Sequence, residues 1–405
     1  MRALLAPVLA AGMVVACSRD ALAEEATAPP PEAPAAPPGA IVRTATPVAL
    51  TLAGYVEAYF GWNFGRPSNG ITAYRTFDSR HDSFTLSNAV LDAAWSRDRV
   101  SGRLALQLGS TGATYYASEP SRPGGGGVTA NDASLWRYVQ QANLGYRADV
   151  GRGLLVEMGL FLSPIGPEGI AIKDQWTWSR SILFSALPFY HTGLRATYPL
   201  TDALSATVAA YDGWNSVVDN NDEKSVSASM TYAVADAITV QGLYFGGVER
   251  DRGVAEGRAF RHLFDAYVTV YPTKALAFMA HADAGFEANH FGTSSWEGGA
   301  IYARLQALQW LYVVARGDRL HEHVATSLGG SAARLFFPTA DVASATLTLD
   351  ARPQDGLSVR LEYRHDAAGA PMYFRGAVAG DGVTSPYVPT SRTQDTLTLG
   401  ATAWF

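Results

Sequence analysis

The segment Asp395-Thr396-Leu397-Thr398-Leu399-Gly400-Ala401-Thr402-Ala403-Trp404-Phe405 is the stretch of the chain that decides its fold. Every second residue from Leu397 to Phe405 is apolar. The residues that alternate with them, Thr398, Gly400 and Thr402, are small. This period of two is typical of a β-strand with one apolar face. The edge of such a strand needs a partner. Pairing with the first strand, residues 50–62, would supply that partner and close a barrel.

The composition fits strands that face lipid on one side and water on the other. The 405 residues are 48% hydrophobic and 17% charged, and the mean hydropathy is zero. Outside the N-terminus no apolar run reaches the roughly 20 residues of a membrane helix. A transmembrane β-barrel has such a composition because lipid-facing and lumen-facing residues alternate, although a secreted β-sandwich would share these totals. The net charge of −6, without a basic cluster, argues against a nucleic-acid partner.

The sequence divides into three predicted regions: residues 1–23 form a signal peptide, 24–48 a Pro/Ala-rich periplasmic linker, and 49–405 the barrel. An apolar run follows Arg2, and Ala21-Leu22-Ala23 has the form of a signal-peptidase site. The single cysteine, Cys17, lies in this leader, where it is either removed or lipidated. The linker is too rich in Ala, Pro and Glu to bury a core.

From residue 49 onward, short turns with Pro, Asp or Gly alternate with long polar connections. This pattern predicts an all-β fold, a transmembrane antiparallel up-and-down β-barrel of about 16 strands with short periplasmic turns and long extracellular loops. The predicted strands are 50–62, 83–95, 100–109, 138–147, 154–163, 190–198, 203–211, 225–233, 237–246, 262–271, 275–284, 297–305, 308–316, 342–351, 357–365 and 395–405.

Charged residues within these strands fix the face that points inward. If the apolar positions face lipid, the charged positions face the lumen, and a shift by one residue would place each Arg in lipid at about 2–4 kcal/mol near the midplane. We therefore expect a lumen lined by Glu57, Arg103, Glu157, Arg195, Arg360, Glu362 and Arg364, with Asn88, Asp92, Asp265, His281 and Asp283 also facing inward.

Two stretches of the chain resemble the sequences of a known family. The first is Gly54-Tyr55-Val56-Glu57-Ala58-Tyr59-Phe60 with the later run from Phe77 to Asn88. The second runs from Ser163-Pro164-Ile165-Gly166-Pro167-Glu168 through Trp176-Thr177-Trp178-Ser179-Arg180-Ser181 to Arg195, and Tyr211-Asp212-Gly213-Trp214-Asn215 continues it. Both resemble the OmpL-like family of outer-membrane β-barrel porins. The resemblance extends over about residues 50 to 405 and implies a porin-like barrel whose solute is unassigned.

The third long connection, residues 164–189, is a candidate pore constriction. In porins a loop at this position can fold into the lumen, where charged groups select solutes by local field and diameter. We expect an eyelet in which this loop faces wall residues such as Arg195 and Arg360; alternatively, the loop caps the barrel or lies outside it. The charged residues that the loop contributes are Glu168, Lys173, Asp174 and Arg180.

These features predict passive diffusion of small hydrophilic solutes across the outer membrane of a Gram-negative cell, with no catalytic residue, metal or cofactor. A non-conducting adhesin or scaffold, with residues 366–394 as its binding surface, is one alternative. An outer-membrane hydrolase is another, although no motif fixes a nucleophile. The segments His321-Glu322-His323 and Asp219–Glu223 lack the ligand spacing of known metal motifs.

The expected partners are outer-membrane lipid and lipopolysaccharide, the barrel-assembly machinery, small polar solutes or ions, and further copies of the chain. The resemblance to porins suggests that Trp404 and Phe405 form part of the signal that the assembly machinery recognises.

Overall fold

The computed structural model describes residues 47–121, 131–221 and 223–405, so the predicted signal peptide with Cys17 and the linker up to residue 46 lie outside the described residues. Within this part, sixteen antiparallel strands form one closed barrel, which confirms the predicted fold class. The barrel strands are β1 (Ala49–Asn63), β2 (Ser83–Arg97), β3 (Val100–Leu108), β4 (Val139–Ala148), β5 (Leu154–Leu162), β6 (Tyr190–Pro199), β7 (Leu204–Tyr211), β8 (Ser225–Val234), β9 (Ile238–Val248), β10 (Phe260–Val270), β11 (Leu276–Asn289), β12 (Gly292–Leu308), β13 (Leu311–His323), β16 (Asp341–Gln354), β17 (Leu357–Ala368) and β18 (Thr393–Trp404).

The connections contain a few short elements. These are helices α1 (Ser110–Tyr115), α2 (Ala133–Trp136) and α3 (Ile182–Ser185), one 3₁₀ turn (Ile172–Asp174), and a hairpin of β14 (Thr326–Ser327) and β15 (Gly330–Ser331). Of the helices in the described part of the chain, none has the length and apolar character to cross a membrane.

Strands β1 and β18 close the barrel. Residues 55–63 pair antiparallel with residues 396–404, which confirms the predicted partnership of the last strand with the first. Phe405 extends this pairing, because its N–H donates to the Gly54 carbonyl at 3.1 Å and its carbonyl accepts from the Gly54 N–H at 3.3 Å. Each barrel strand is thereby hydrogen-bonded to a neighbour on both sides, so the backbone groups of the strands are satisfied within the sheet.

The two faces of the sheet follow the predicted alternation. In β17, Val359, Leu361 and Tyr363 are exposed on the outer surface, whereas Arg360 and Glu362 between them are buried. The same alternation recurs in β18, where Leu397 and Leu399 face outward. The outer apolar residues are exposed in the isolated chain because the bilayer covers them in place of protein.

Strands β11 to β13 extend beyond their predicted ends. The predicted long connection 285–296 is a turn at His290 and Phe291, since β11 ends at Asn289 and β12 begins at Gly292. The prediction that placed His321-Glu322-His323 in a loop was also wrong, because these residues end β13. The extensions are polar and resemble loops in composition, but they keep the period-2 burial pattern of a strand.

The end of the barrel that carries the long connections has its own apolar core. Loop residues pack there against inward-facing wall residues in two clusters. The first contains Ile165, Ile182, Leu187, Tyr211, Phe245, Leu263 and Trp296. The second contains Phe77, Tyr115, Tyr116, Ile170, Phe184 and Tyr190. These contacts hold the connections inside the barrel.

Candidate pore constriction

Residues 163–189, between β5 and β6, lie inside the barrel; we call this segment the inserted loop. Its backbone N–H groups donate to wall carboxylates on separate strands: Gly166 to Asp265 on β10 at 3.2 Å, and Ile172 to Glu57 on β1 at 2.6 Å. Near its end, Ile182 donates to a third wall carboxylate, on β13, at 2.7 Å. Because these strands lie at different positions around the barrel, the inserted loop crosses the lumen.

Glu362 holds the middle of the inserted loop. Its two carboxylate oxygens accept from the N–H groups of Trp178 at 2.6 Å and Ser179 at 2.9 Å, and Thr348 Oγ1 donates to it at 2.7 Å. Hydrogen bonds to an ionised acceptor are shorter and stronger than neutral ones. A single buried wall residue therefore fixes two consecutive peptide groups.

Three wall arginines bind carbonyl oxygens of the same stretch. Arg360 donates to Thr177 at 2.9 Å and Gln175 at 2.7 Å. Arg316 donates to the Ser179 carbonyl at 2.6 Å, and Arg364 donates to the carbonyl of Arg180 at 2.5 Å. The wall thus holds the inserted loop through its backbone: the arginines bind carbonyl groups, and Glu362 binds N–H groups.

Arg316 and its ion-pair partner Asp318, at 2.9 Å, were missing from the predicted lumen residues. Asp318 is the carboxylate that accepts from Ile182. The predicted strand ended at residue 316, whereas β13 continues to His323. The signal that could have found Asp318 is its spacing, because it follows Arg316 by two residues and so shares its face of the strand.

Two charged residues of the inserted loop are buried within the loop itself. Arg180 donates to the carbonyls of Gly169 at 2.6 Å, Ile170 at 2.6 Å and Trp178 at 2.8 Å. Glu168 accepts from the Ser181 N–H at 3.0 Å. Together with Glu57, Arg360, Glu362 and Arg364, these two residues support the loop and are shielded from the water of the lumen.

Several of the other predicted lumen residues form partly exposed ion pairs. Arg195 contacts Glu157 at 2.7 Å, and the side chains are 26% and 14% exposed. Arg103 contacts Asp92 at 2.5 Å, with 45% of the arginine side chain exposed. On the inserted loop, Lys173 contacts Asp174 at 2.9 Å. The structure therefore offers solutes charges of both signs, each beside its counter-charge.

Strands β6 to β9 add hydroxyl groups to the inner wall. Thr197 and Thr207 share a hydrogen bond of 2.9 Å, and Gln241 donates to Thr231 at 3.0 Å. All four side chains are only partly buried. Uncharged hydroxyl and amide groups of this kind can exchange hydrogen bonds with a hydrated solute.

Gly400 on β18 makes room for the inserted loop. A Cβ atom at this position would lie 2.3 Å from the ring of Trp178, which is closer than van der Waals contact allows. The Trp178 ring also lies 6.0 Å from the ring of Tyr59 on β1. The Trp178 ring therefore packs against the inner face of the barrel where β1 and β18 pair.

The first connection, residues 64–82, contacts the inserted loop at the end of the barrel that carries the long connections. Arg75 contacts Asp78 at 2.5 Å and Asp366 on β17 at 3.4 Å, and all three side chains are buried. Burial acts to raise the pKa of Asp78, but the charge and hydrogen bonds of Arg75 outweigh it and lower the pKa below its usual range. Thr76 and Ser185 share a hydrogen bond of 2.6 Å that joins the two connections.

The two aromatic residues of the predicted assembly signal lie at the seam. Phe405 is 77% exposed on the outer surface, and Trp404 pairs with Tyr55 on β1. At the opposite end of the barrel, His321 faces outward and contacts Asp341 at 3.2 Å, so it does not reach the lumen.

Solved structures with similar folds include several outer-membrane proteins. The anion-selective porin from Comamonas acidovorans has a TM-score of 0.58 at 10% identity, over 89% of this chain and 100% of that chain. The outer membrane channel DcaP of Acinetobacter baumannii has a TM-score of 0.54 at 12% identity, over 88% and 97%. The trimer form of OmpT from Vibrio cholerae has a TM-score of 0.54 at 9% identity, over 88% and 99%. At these identities the likeness concerns the fold alone.

Comparison with curated protein sequences found no match. A family model, described as "Putative beta-barrel porin-2, OmpL-like", matches residues 49–405. That range runs from the first residue of β1 to the end of the chain. The chain therefore belongs to this family of porin-like barrels and is a protein of the outer membrane.

Proposed function

We propose that this protein is a channel, and not an enzyme, through which small hydrophilic solutes or ions diffuse passively across the outer membrane. The observation that carries the proposal is the inserted loop, which wall residues such as Glu362 hold by its backbone across the lumen. Beside it, the pairs Arg195–Glu157 and Arg103–Asp92 stay partly exposed. A narrowed lumen with exposed charges is the arrangement by which porin-type pores select solutes.

The paired arrangement of the exposed charges bears on ion preference. Arg195, Arg103 and Lys173 each lie within 3 Å of a carboxylate. The fields of two opposite charges largely cancel at distances beyond the pair, and salt screens what remains. We therefore propose a channel with weak preference between anions and cations, in which polarity and size restrict the solute.

Conductance of the refolded protein in a planar bilayer tests this proposal. We expect discrete current steps at applied voltage, and no steps from the same preparation after boiling in detergent. Folding is checked independently by heat-modifiable mobility on gels. A folded preparation that inserts into bilayers and carries no current would contradict the channel and favour the scaffold.

One observation favours a non-conducting barrel as the second candidate. The connections fill the long-loop end with the apolar clusters that include Phe77, Tyr190 and Phe245. A lumen filled in this way would suit an adhesin or scaffold that presents residues 366–394 at the surface. Uptake of a small sugar into liposomes that contain the protein distinguishes the two candidates, because only the channel admits it.

We also propose that the chain forms a homo-oligomer and contacts lipid and lipopolysaccharide through its outer surface. Support comes from outward-facing polar contacts near the long loops, where Arg319 donates to Asp341 at 2.6 Å and Tyr363 donates to Asp395 at 2.7 Å. Charged groups on the outer face are costly in hydrocarbon and acceptable beside headgroups or another protein. Chemical cross-linking in intact outer membranes is expected to yield one defined oligomer, and a monomer alone would contradict this proposal.

A further inference from the structure

Two acidic residues lie directly opposite each other on adjacent strands of the inner wall. Asp265 on β10 and Asp283 on β11 are cross-strand partners in the antiparallel register, and both are buried. Opposed like charges destabilise a sheet, and burying a carboxylate without a partner costs more still. A positive species between the two groups would relieve both costs.

A histidine completes the cluster. His281 precedes Asp283 by two residues on β11, so both side chains point to the same face. Its Nε2 lies 2.5 Å from Asp265 Oδ2, and it is as deeply buried as the acids. One nitrogen or oxygen atom from each of the three residues falls within 4.8 Å of the others.

Asp283 differs from the other buried acids of the wall. Glu287 binds Arg250 and Arg261, and Asp318 binds Arg316. Among the residues that the structure describes, Asp283 is the buried acid with neither carboxylate oxygen in a hydrogen bond. The Nδ1 atom of His281 also has no hydrogen-bond partner. Unused acceptors at such depth indicate a ligand that the protein groups themselves do not provide.

We propose that Asp265, His281 and Asp283 bind one divalent transition-metal ion of the Zn²⁺ class. Two carboxylates and one imidazole are ordinary zinc ligands, and a site with three protein ligands keeps a fourth position for water. The imidazole favours Zn²⁺ over Ca²⁺ and Mg²⁺, which take oxygen ligands. A divalent cation would also balance the two opposed carboxylates, which have no arginine or lysine partner among the described ion pairs.

The site touches the inserted loop. The N–H of Gly166 donates to Asp265 Oδ1 at 3.2 Å, and a Cβ atom at Gly166 would lie 3.1 Å from His281 Cε1. Gly166 has a φ of +76°, a conformation that favours glycine, so a side chain at this position would be strained and would also crowd the imidazole. Metal binding would therefore fix the wall residue that holds the start of the loop, whether or not the barrel conducts.

Zinc titration of the full-length exported protein tests the site. The refolded protein is stripped with a chelator and titrated with Zn²⁺ alone, and binding is followed by calorimetry and by metal content after desalting. We expect one ion per chain. The variants Asp283→Asn and His281→Gln should weaken binding by at least about tenfold, since even outer-shell partners of a metal are worth that much. The double variant His321→Gln/His323→Gln, which removes two outward-facing histidines at the end of β13, should bind as the native protein does.

Thermal unfolding provides a second readout that does not depend on titration stoichiometry. Without metal, Asp283→Asn should unfold at a higher temperature than the native protein, because it removes the opposed charge while keeping the side-chain size. Added Zn²⁺ should raise the unfolding temperature of the native protein clearly more than that of the variant at the same zinc concentration.

Three results would overturn the proposal. The first is no bound zinc, and the second is zinc binding that persists in Asp283→Asn and disappears in the His321/His323 variant. The third is equal stabilisation by Ca²⁺ and Zn²⁺, which would show that the imidazole of His281 is not a metal ligand. In the first two cases a shared proton, and not a metal, would be the positive species between Asp265 and Asp283; in the third, a cation held by oxygen ligands alone would take that place.

Discussion

Glu362 on β17 and Trp178 on the inserted loop are joined by a hydrogen bond of 2.6 Å, although 184 positions separate them in the sequence. The second carboxylate oxygen accepts from the next peptide group, that of Ser179, at 2.9 Å. Each such bond to a charged acceptor contributes roughly 1.5–3 kcal/mol. This one side chain is thus a principal attachment of the loop to the wall.

Replacing Glu362 with Gln should loosen the inserted loop. The amide keeps one oxygen acceptor and turns an NH₂ group toward the other peptide N–H, which leaves that donor without a partner at a cost of about 1–3 kcal/mol. We expect lower resistance to urea and noisier single-channel current. The control is Glu297→Gln, because Glu297 is exposed on the outer face of β12. Unchanged stability and current in Glu362→Gln would show that the loop is held elsewhere.

Replacing Arg195 with Gln should shift ion preference toward cations. The substitution removes the positive member of a partly exposed pair and leaves Glu157 facing the lumen. Glu157→Gln should shift the preference the opposite way, toward anions. The measurement is the reversal potential in a potassium chloride gradient. Arg99→Gln serves as the control, since Arg99 lies in the turn between β2 and β3 and pairs there with Asp149. If Arg195→Gln matched this control, the pair would lie off the ion path.

Acid should weaken the attachment of the first connection. Asp78 has a lowered pKa in the folded protein, because the effects of Arg75 outweigh that of burial. Its contribution to stability is therefore fully present above the unfolded value of about 3.9 and is lost as pH falls through the lower folded value. Removal of the charge by Asp78→Asn should cost up to roughly 3–5 kcal/mol at neutral pH.

Unfolding free energies of the native protein and Asp78→Asn measure this effect. The difference between them should be largest near neutral pH and should shrink below about pH 4. Asp236→Asn, in an exposed turn with φ of +54°, is the matched control because Asn tolerates that conformation. A difference that stays constant down to the lowest pH would mean that the Asp78 charge contributes nothing.

Replacing Phe405 with Ala should impair assembly more than stability. The ring is largely exposed on the outer surface, whereas the backbone N–H and carbonyl pair with Gly54. The alanine variant keeps those two hydrogen bonds, and deletion of the residue removes them. We expect both variants to reach the outer membrane poorly in cells and the alanine variant to refold normally in detergent. Phe84→Ala, at another outward-facing phenylalanine, is the control. Normal membrane insertion of Phe405→Ala would remove the proposed assembly role.

The barrel could be predicted from the sequence because membrane strands carry a local signal. The alternation in residues 395–405 and the charges of β17 fix both the strands and their inward face. The ends of β11 and β12 could not be read in this way. Beyond the bilayer the outer face no longer has to be apolar, so residues 285–296 resemble a loop in composition, although residues 285–289 pair with residues 292–296.

The candidate site was only partly predictable, for a different reason. Sequence places Arg360 and Arg180 inside the barrel, but their burial depends on carbonyl groups that folding brings near them. Likewise, Asp265 and Asp283 are both predicted to face inward, yet their direct opposition follows from the pairing register of β10 with β11. Contacts that depend on loop folding and on strand register produce no periodic pattern in a single sequence.

The wall residues bind the main chain of the inserted loop, and this has a consequence for how such channels diversify. Arg360 binds carbonyl groups, which every residue has, and Glu362 binds N–H groups, which every residue except proline has. These contacts therefore do not depend on which other side chains the inserted loop carries. In the proposed channel, substitutions at Lys173 or Asp174, whose side chains remain partly exposed, would therefore alter the preferred solute without a compensating change in the barrel. Under this proposal, the residues that select the solute and the residues that anchor the loop occupy separate positions, so a new solute preference would evolve on an unchanged barrel.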